Sequence, residues 1–258
     1  MMPTALIVED EPEANKLLAM LVRLRGYRTE SAFNGAEAIE KADRHRPDVV
    51  LLDLMLPDIT GFDVCRALKG RRATNPIPVV MVTARVAADN RLKSFRVGAS
   101  DYVPKPYTPD QIFRALTAAD TWRRDLREQA GRGEIPLGPL AEADTLTQSS
   151  RLLSLLLART PWDEAEVRRL GVALLDVGRD AADWGGRHAV DLVANALYHQ
   201  FPGCVTLTIR DEAGWFSPDT PALERLAPLR PLFDQVEQDP RGAEVTMTKR
   251  FDAPEGRE

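Results

Sequence analysis

Short apolar runs alternate with amphipathic stretches over the first 125 residues, and this alternation restricts the possible folds more than any other feature of the chain. Three runs have the apolar character of strands that are buried on both faces: residues 5–8, 49–54 and 79–83. A helix is predicted between the first two runs, with an apolar face formed by Leu17, Leu21 and Leu24. We therefore predict an α/β fold for residues 1–125, with a doubly wound, five-stranded parallel sheet.

Polar side chains follow the predicted strands at the points where the strands end. Glu9 and Asp10 follow the first strand, Asp53 lies at the end of the third, and Thr83 ends the fourth. Lys105 follows the next short run, and the carboxyl ends of parallel strands meet at one edge of a sheet. Three carboxylates at one edge repel one another unless a cation offsets their charge, and Mg²⁺ prefers oxygen ligands of this kind. A carboxylate beside such an ion can act as a nucleophile toward a phosphoryl donor.

Four segments carry a resemblance to a known family. They read LIVEDEP at residues 6–12, PDVVLLDLMLPD at 47–58, VMVTA at 80–84 and GASDYVPKP at 98–106. Together they closely resemble the receiver domain of bacterial two-component response regulators, over about residues 3–125. The resemblance implies a flavodoxin-like fold and a phosphorelay in which a sensor histidine kinase or phosphotransfer protein donates the phosphoryl group.

The resemblance also implies a role for each residue at the sheet edge. Asp53 is expected to be the phosphorylated aspartate, and Glu9 and Asp10 are expected to bind Mg²⁺ together with it. The residues expected to bind the phosphoryl group and to switch conformation are Thr83, Tyr102 and Lys105. A cis peptide bond is expected before Pro106, and Met55 and Arg85 are expected to flank the phosphoryl group and tune its hydrolysis.

The last helix of this region is predicted to continue to about residue 130, because its apolar spacing does not stop where a compact domain would end. The positions are Ile112, Leu116, Ala119, Trp122 and Leu126. Such a stripe indicates a seam for a homodimer. Residues 131–143 then predict a linker, because residues 131–139 contain three glycines and two prolines.

Residues 144–258 predict a smaller α+β output domain. Its helices are expected at 146–158, 163–183 and 187–200, and its strands at 204–210 and 243–251. Within the third helix, Asp191, Asn195 and His199 resemble the asparagine box of histidine-kinase-type ATP-binding domains, where the three share one helical face. Residues 232–250 are similar to the last strands of anti-sigma-factor kinases.

The glycine-rich loops of that superfamily are missing from this sequence. Residues 211–216 read DEAGWF, with one glycine where a backbone must approach phosphates. We therefore expect a degenerate ATPase-like fold without ATPase or kinase activity. A helical dimerisation domain, a phosphotransfer-like domain and a DNA-binding domain stay open as alternatives.

Composition and charge narrow the functional classes. No apolar run approaches the roughly 20 residues of a membrane-spanning helix, and the chain begins without a signal-peptide pattern, so we expect a cytoplasmic protein. Residues 144–258 carry 13 Lys or Arg against 19 Asp or Glu, which argues against nucleic-acid binding. We expect a response regulator that switches its output by dimerisation or by binding a protein partner. The alternatives are an adaptor that sequesters a partner or drains phosphate, and a DNA-binding transcriptional regulator.

Overall fold

The computed structural model describes residues 2–84, 88–128, 132–137, 143–185, 192–199, 204–211, 216 and 222–251. The chain divides into two compact units, Met1–Glu128 and Gln129–Glu258. Within the described parts of both units, no helix has the length and apolar character needed to cross a bilayer.

The first unit alternates strands and helices along its whole length. Its elements are β1 (Thr4–Val8), α1 (Pro12–Leu24), β2 (Arg28–Ala32), α2 (Gly35–His45), β3 (Val49–Leu52), α3 (Gly61–Lys69), β4 (Val79–Thr83), α4 (Ala88–Arg96), β5 (Asp101–Pro104) and α5 (Pro109–Glu128). The strands are all parallel and lie in the order β2-β1-β3-β4-β5. This architecture confirms the predicted doubly wound, five-stranded parallel sheet.

Two apolar clusters cover the two faces of this sheet. One cluster joins the sheet to α1 and α5, and the other joins it to α2 and α3. Side-chain caps determine where α2 and α3 begin. Asn34 and Thr60 each accept a hydrogen bond from the backbone N–H three residues later. These two caps define where the loops after β2 and β3 end.

The face of α1 that packs on the sheet differs from the predicted one. Leu17 and Leu24 are 53% and 72% exposed, whereas Leu18 and Val22 are buried. Apolar residues occupy most positions of this helix, so more than one helical spacing fits the sequence. The spacing that contains the two buried residues is the one that meets the sheet.

The apolar stripe of α5 is buried within the chain and does not form an exposed seam. Ile112, Leu116 and Ala119 belong to the cluster on the sheet. Trp122 and Leu126 are buried as well. Because the first three residues of the stripe cover the sheet, the prediction of an exposed homodimer seam along α5 is wrong. The helix is described as far as Glu128, and the residues after it lie outside the described part of the chain.

Polar contacts fasten the second half of α5 to the amino-terminal edge of the sheet. The Tyr27 hydroxyl, just before β2, donates to Asp120 Oδ1 at 2.6 Å. The Arg123 guanidinium pairs with Asp48, just before β3, and Asp48 Oδ2 accepts from the Thr4 N–H at 2.6 Å. This part of α5 is therefore an integral part of the first unit.

The second unit is an antiparallel sheet with helices, in agreement with the predicted α+β class. Its elements are β6 (Arg132–Leu137), α6 (Ala143–Arg159), α7 (Glu164–Gly185), β7 (Leu192–His199), β8 (Cys204–Asp211), α8 (Ala222–Arg225), β9 (Gln235–Gln238) and β10 (Glu244–Arg250). The strand order is β6-β7-β8-β10-β9. Trp162 is fully buried in the core, with its ring 5.5 Å from that of Phe233 and 6.1 Å from that of Phe251 in edge-on contacts.

Two segments of the second unit differ from their predicted structure. The predicted linker contains β6, which pairs with β7 over six residues. Pro136 is compatible with this strand because β6 lies at the edge of the sheet. The predicted helix at 187–200 contains β7, which pairs with β6 on one side and β8 on the other. Strand pairing on both sides outweighs the helical preference of its alanines and leucines.

Candidate functional site

The carboxyl ends of four parallel strands bring the predicted polar residues to one edge of the first sheet. Glu9 follows β1, Asp53 follows β3, Thr83 ends β4 and Lys105 follows β5. Glu9, Asp53 and Thr83 are all buried, although two of them are carboxylic acids. Lys105 is positioned by the pairing of β5 with β4, which continues into a hydrogen bond from the Lys105 N–H to the Thr83 carbonyl at 2.8 Å.

Lys105 connects the two buried carboxylates. Its Nζ lies 2.5 Å from Glu9 Oε2 and 2.5 Å from Asp53 Oδ2. Burial alone lowers the pKa of Lys105, but the hydrogen bonds to Asp53 and Glu9 outweigh that effect, so the pKa is raised and the ammonium is retained. Burial raises the pKa of the Glu9 carboxyl, and the Lys105 ammonium opposes this increase only in part.

The loop after β3 holds the second oxygen of Asp53. Asp53 Oδ1 accepts a hydrogen bond from the Met55 N–H at 3.1 Å. Gly61, at the start of α3, packs so closely on this segment that a Cβ at that position would lie 2.2 Å from the Asp53 carbonyl oxygen. The Gly61 N–H also donates to the Leu54 carbonyl at 3.0 Å. Gly61 was not among the residues predicted from the sequence, because a glycine at the start of a helix carries no distinctive signal.

The far end of the same loop is fixed to α2. Asp58 accepts hydrogen bonds from the backbone N–H groups of Gly35 and Ala36, at 2.8 and 2.9 Å. A Cβ on Gly35 would lie 2.4 Å from the Ile59 side chain, so this contact also depends on a glycine. The loop that carries Asp53 is thus fastened at both ends.

The acidic residues fit a hydrated Mg²⁺ ion better than a closed protein cage. Asp10 is exposed beside the buried Glu9, and the charges of Asp53 and Asp10 both act on the pKa of Glu9. Among the described residues, no three His, Cys, Asp or Glu side chains form a ready-made metal cluster. Mg²⁺ usually takes one or two carboxylates and completes its octahedron with waters and phosphate oxygens. The donor chemistry at this edge matches that requirement.

Three of the remaining predicted residues lie in or just after strands of this sheet: Tyr102 is in β5, Pro106 follows β5 and Met55 follows β3. Tyr102 on β5 is half-buried and packs against the cluster of α2 and α3, and desolvation raises the pKa of its hydroxyl. The Lys105–Pro106 peptide bond is cis. Met55 is about half exposed, two residues after Asp53. Arg85 lies outside the described residues.

The predicted asparagine box is not on a helix. Asn195 and His199 lie in β7, where they pair with Thr208 and Cys204 of β8, and Asp191 lies outside the described residues. The one-face arrangement that the resemblance requires depends on a helical repeat. The prediction of a helical asparagine box at these positions is therefore wrong.

Comparison with known proteins agrees with the geometry of the first unit. Residues 5–117 match the family described as the response regulator receiver domain. The sensory transduction protein RegX3 of Mycobacterium bovis is 37% identical over 139 residues, which are 54% of this chain and 60% of the relative. The transcriptional regulatory protein KdpE of Mycobacterium tuberculosis is 35% identical over 146 residues, which are 57% of this chain and 60% of the relative.

One solved structure is similar to part of this chain. The chemotaxis response regulator CheY4 of Vibrio cholerae has a TM-score of 0.44 and 27% identity, covering 46% of this chain and 99% of that one. The chain spans about three fifths of the length of the two curated relatives.

Proposed function

Because residues 5–117 are a response regulator receiver domain, we propose that this chain accepts a phosphoryl group on Asp53 in a two-component phosphorelay. The donor is a sensor histidine kinase or a phosphotransfer protein. The observation that carries this proposal is the position of Lys105 Nζ, 2.5 Å from both Asp53 and Glu9 at the carboxyl edge of the sheet. A buried carboxylate beside a fixed cation is suited to receive a group that carries negative oxygens.

The transfer forms one bond and breaks one bond. An oxygen of Asp53 attacks the phosphorus of a phosphohistidine, the P–N bond breaks, and the imidazole keeps the electron pair and takes up a proton. The product on this chain is an acyl phosphate. Mg²⁺, when bound by Glu9, Asp10 and Asp53, supplies positive charge that offsets the oxygens of the transferring group.

The residues of this chain have separate tasks in that step. The Met55 N–H holds Asp53 Oδ1 by a hydrogen bond, and the Lys105 ammonium binds Asp53 Oδ2. When the ammonium releases Oδ2, it is available to bind the phosphoryl oxygens. The Thr83 hydroxyl, at the end of the neighbouring strand, is within the same edge and can donate to the phosphoryl group. A shift of Thr83 and Tyr102 toward it would bias a pre-existing conformational equilibrium.

The output of the switch is assigned to the second unit and a protein partner. Its acidic composition supports a protein partner over nucleic acid. We propose no ATPase or kinase activity for it, and only slow self-dephosphorylation for the receiver. KdpE is named as a transcriptional regulatory protein, so DNA binding is the second candidate function.

Intact-mass spectrometry of the full chain with acetyl phosphate and MgCl₂ tests the proposal. We expect a mass increase of one phosphoryl group that is lost in hydroxylamine, because acyl phosphates react with that nucleophile. Asp53→Asn should abolish the increase. Asp43→Asn, on the surface of α2, is the matched control and should keep it. Phosphorylation that survives Asp53→Asn would refute the assignment of the acceptor.

The two candidate outputs are separated by measurements on the same sample. Light scattering before and after phosphorylation reports any change in assembly. Retention on DNA at physiological salt, increased by phosphorylation, would favour the transcriptional regulator.

A further inference from the structure

Asn15 is a buried polar residue on the sheet-facing side of α1. Its side chain is 2% exposed and lies on the same side of the helix as Leu18, Ala19 and Val22, which are core residues. An amide in such a place is costly unless both of its polar atoms are hydrogen-bonded. Asn15 was not among the residues predicted from the sequence, although a lone polar residue on an apolar helix face is a visible signal.

Both polar atoms of the Asn15 side chain are used outside its own helix. The Nδ2 group donates to the backbone carbonyl of Glu9 at 3.2 Å. The Oδ1 atom accepts from the Ser31 hydroxyl on β2 at 2.6 Å. The backbone N–H of Asn15 makes a separate helical bond to Glu11. The side chain therefore ties the end of β1 to the neighbouring strand.

The bond to Glu9 acts on the peptide that joins the two acidic residues of the site. The Glu9 carbonyl belongs to the Glu9–Asp10 peptide, and the Glu9 N–H donates to the Ala32 carbonyl at 3.1 Å. The N–H and the carbonyl of Glu9 are thus both hydrogen-bonded to residues of other segments, Ala32 and Asn15. Fixing this peptide fixes the directions from which the buried Glu9 carboxylate and the exposed Asp10 carboxylate leave the chain.

We propose that Asn15 is a positioning residue for the acidic pair: by holding the Glu9–Asp10 peptide, it sets the affinity of Glu9 and Asp10 for Mg²⁺. This inference rests on the proposed function, because the acidic pair has that role only in a phosphoacceptor site. Asn15 touches neither the ion nor the phosphoryl group. It acts through the backbone of the residues that do.

The test is a MgCl₂ titration of the full chain, followed by the amide NMR signals near Glu9, together with urea unfolding without Mg²⁺. Asn15→Ala should weaken Mg²⁺ binding by about tenfold, as is typical when a residue that orients metal ligands is removed. Ser31→Ala removes the donor that orients the Asn15 amide, and it should weaken binding by a smaller factor. Thr74→Ala is the matched control, because Thr74 is also fully buried and its hydroxyl donates to the Leu68 carbonyl, away from the site.

The outcomes separate this inference from the proposed function. Weaker Mg²⁺ binding in Asn15→Ala but not in Thr74→Ala, at a similar loss of stability, supports the positioning role. Equal affinity in the wild type and Asn15→Ala overturns it and leaves the phosphoacceptor assignment intact. If Asn15→Ala does not fold, Ser31→Ala decides, and an unchanged affinity there overturns the inference. A wild-type chain that binds no Mg²⁺ counts against the proposed function itself.

Discussion

Lys69 gives the most direct test of the packing, because it is a lysine buried at the end of α3. It is 9% exposed, and its Nζ donates to the carbonyls of Asn75 and Ile77 at 2.8 Å each. The Trp122 ring of α5 lies 5.3 Å from Nζ. Burial lowers the pKa of Lys69 from 10.5 to about 8. Its protonation should therefore make stability depend on pH.

The sign and size of the effect follow from the difference between the two pKa values. Below pH 8 both the folded and the unfolded chain carry the proton, and the full cost of the buried charge is present. Between pH 8 and 10.5 the unfolded chain binds more protons, so the free energy of unfolding rises with pH. The slope is about 1.4 kcal/mol for each pH unit, and the rise from pH 7 to pH 9 is about 1.4 kcal/mol in all.

Comparison with Lys69→Met isolates this contribution. Urea unfolding, followed by circular dichroism, should show the stability of the wild type relative to Lys69→Met rising by about 1.4 kcal/mol over that interval. The thiol of Cys65 is on the same helix, with a pKa raised to about 12 by burial, and it is present in both proteins, so its contribution cancels. Lys16→Met, at an exposed lysine of α1, should show no such trend. A difference between wild type and Lys69→Met that is flat with pH would refute the reasoning.

Two further substitutions test the loop of the site and the second core. Gly61→Ala should slow phosphorylation by acetyl phosphate and lower the free energy of unfolding by about 1–3 kcal/mol, because the added Cβ would clash with the Asp53 carbonyl. The rate is measured by intact mass. An unchanged rate would show that the loop can shift without affecting Asp53. Trp162→Leu should destabilise the second unit by about 3 kcal/mol through loss of the ring contacts with Phe233 and Phe251. Its phosphorylation rate should stay at the wild-type value, since every residue assigned to the proposed phosphoacceptor site lies in the first unit. A slower rate would contradict that assignment.

The parallel sheet and its functional edge could be predicted from the sequence for a physical reason. Strands buried on both faces must be continuously apolar, as in Val49–Leu52, so Asp53 directly after such a run marks a strand end. The order of Glu9, Asp53, Thr83 and Lys105 then places them together, because all parallel strands end at the same edge.

Other features depend on contacts that a sequence pattern does not specify. The side of α1 that meets the sheet could not be chosen, since apolar residues surround most of the helix. The strand β7 contains alanines and leucines that favour a helix, and its pairing with the two neighbouring strands outweighs that preference. The role of Gly61 depends on a distance between segments, which no local spacing contains.

The fastening of α5 to the amino-terminal edge changes where the first unit should be considered to end. The match to the family model ends at residue 117. Asp120 and Arg123, which lie beyond that point, bind Tyr27 and Asp48. A chain shortened to residue 117 would keep Tyr27 and Asp48 but lose their partners, Asp120 and Arg123. A fragment that keeps these contacts must therefore extend at least to Arg123, beyond the residues that the family model covers.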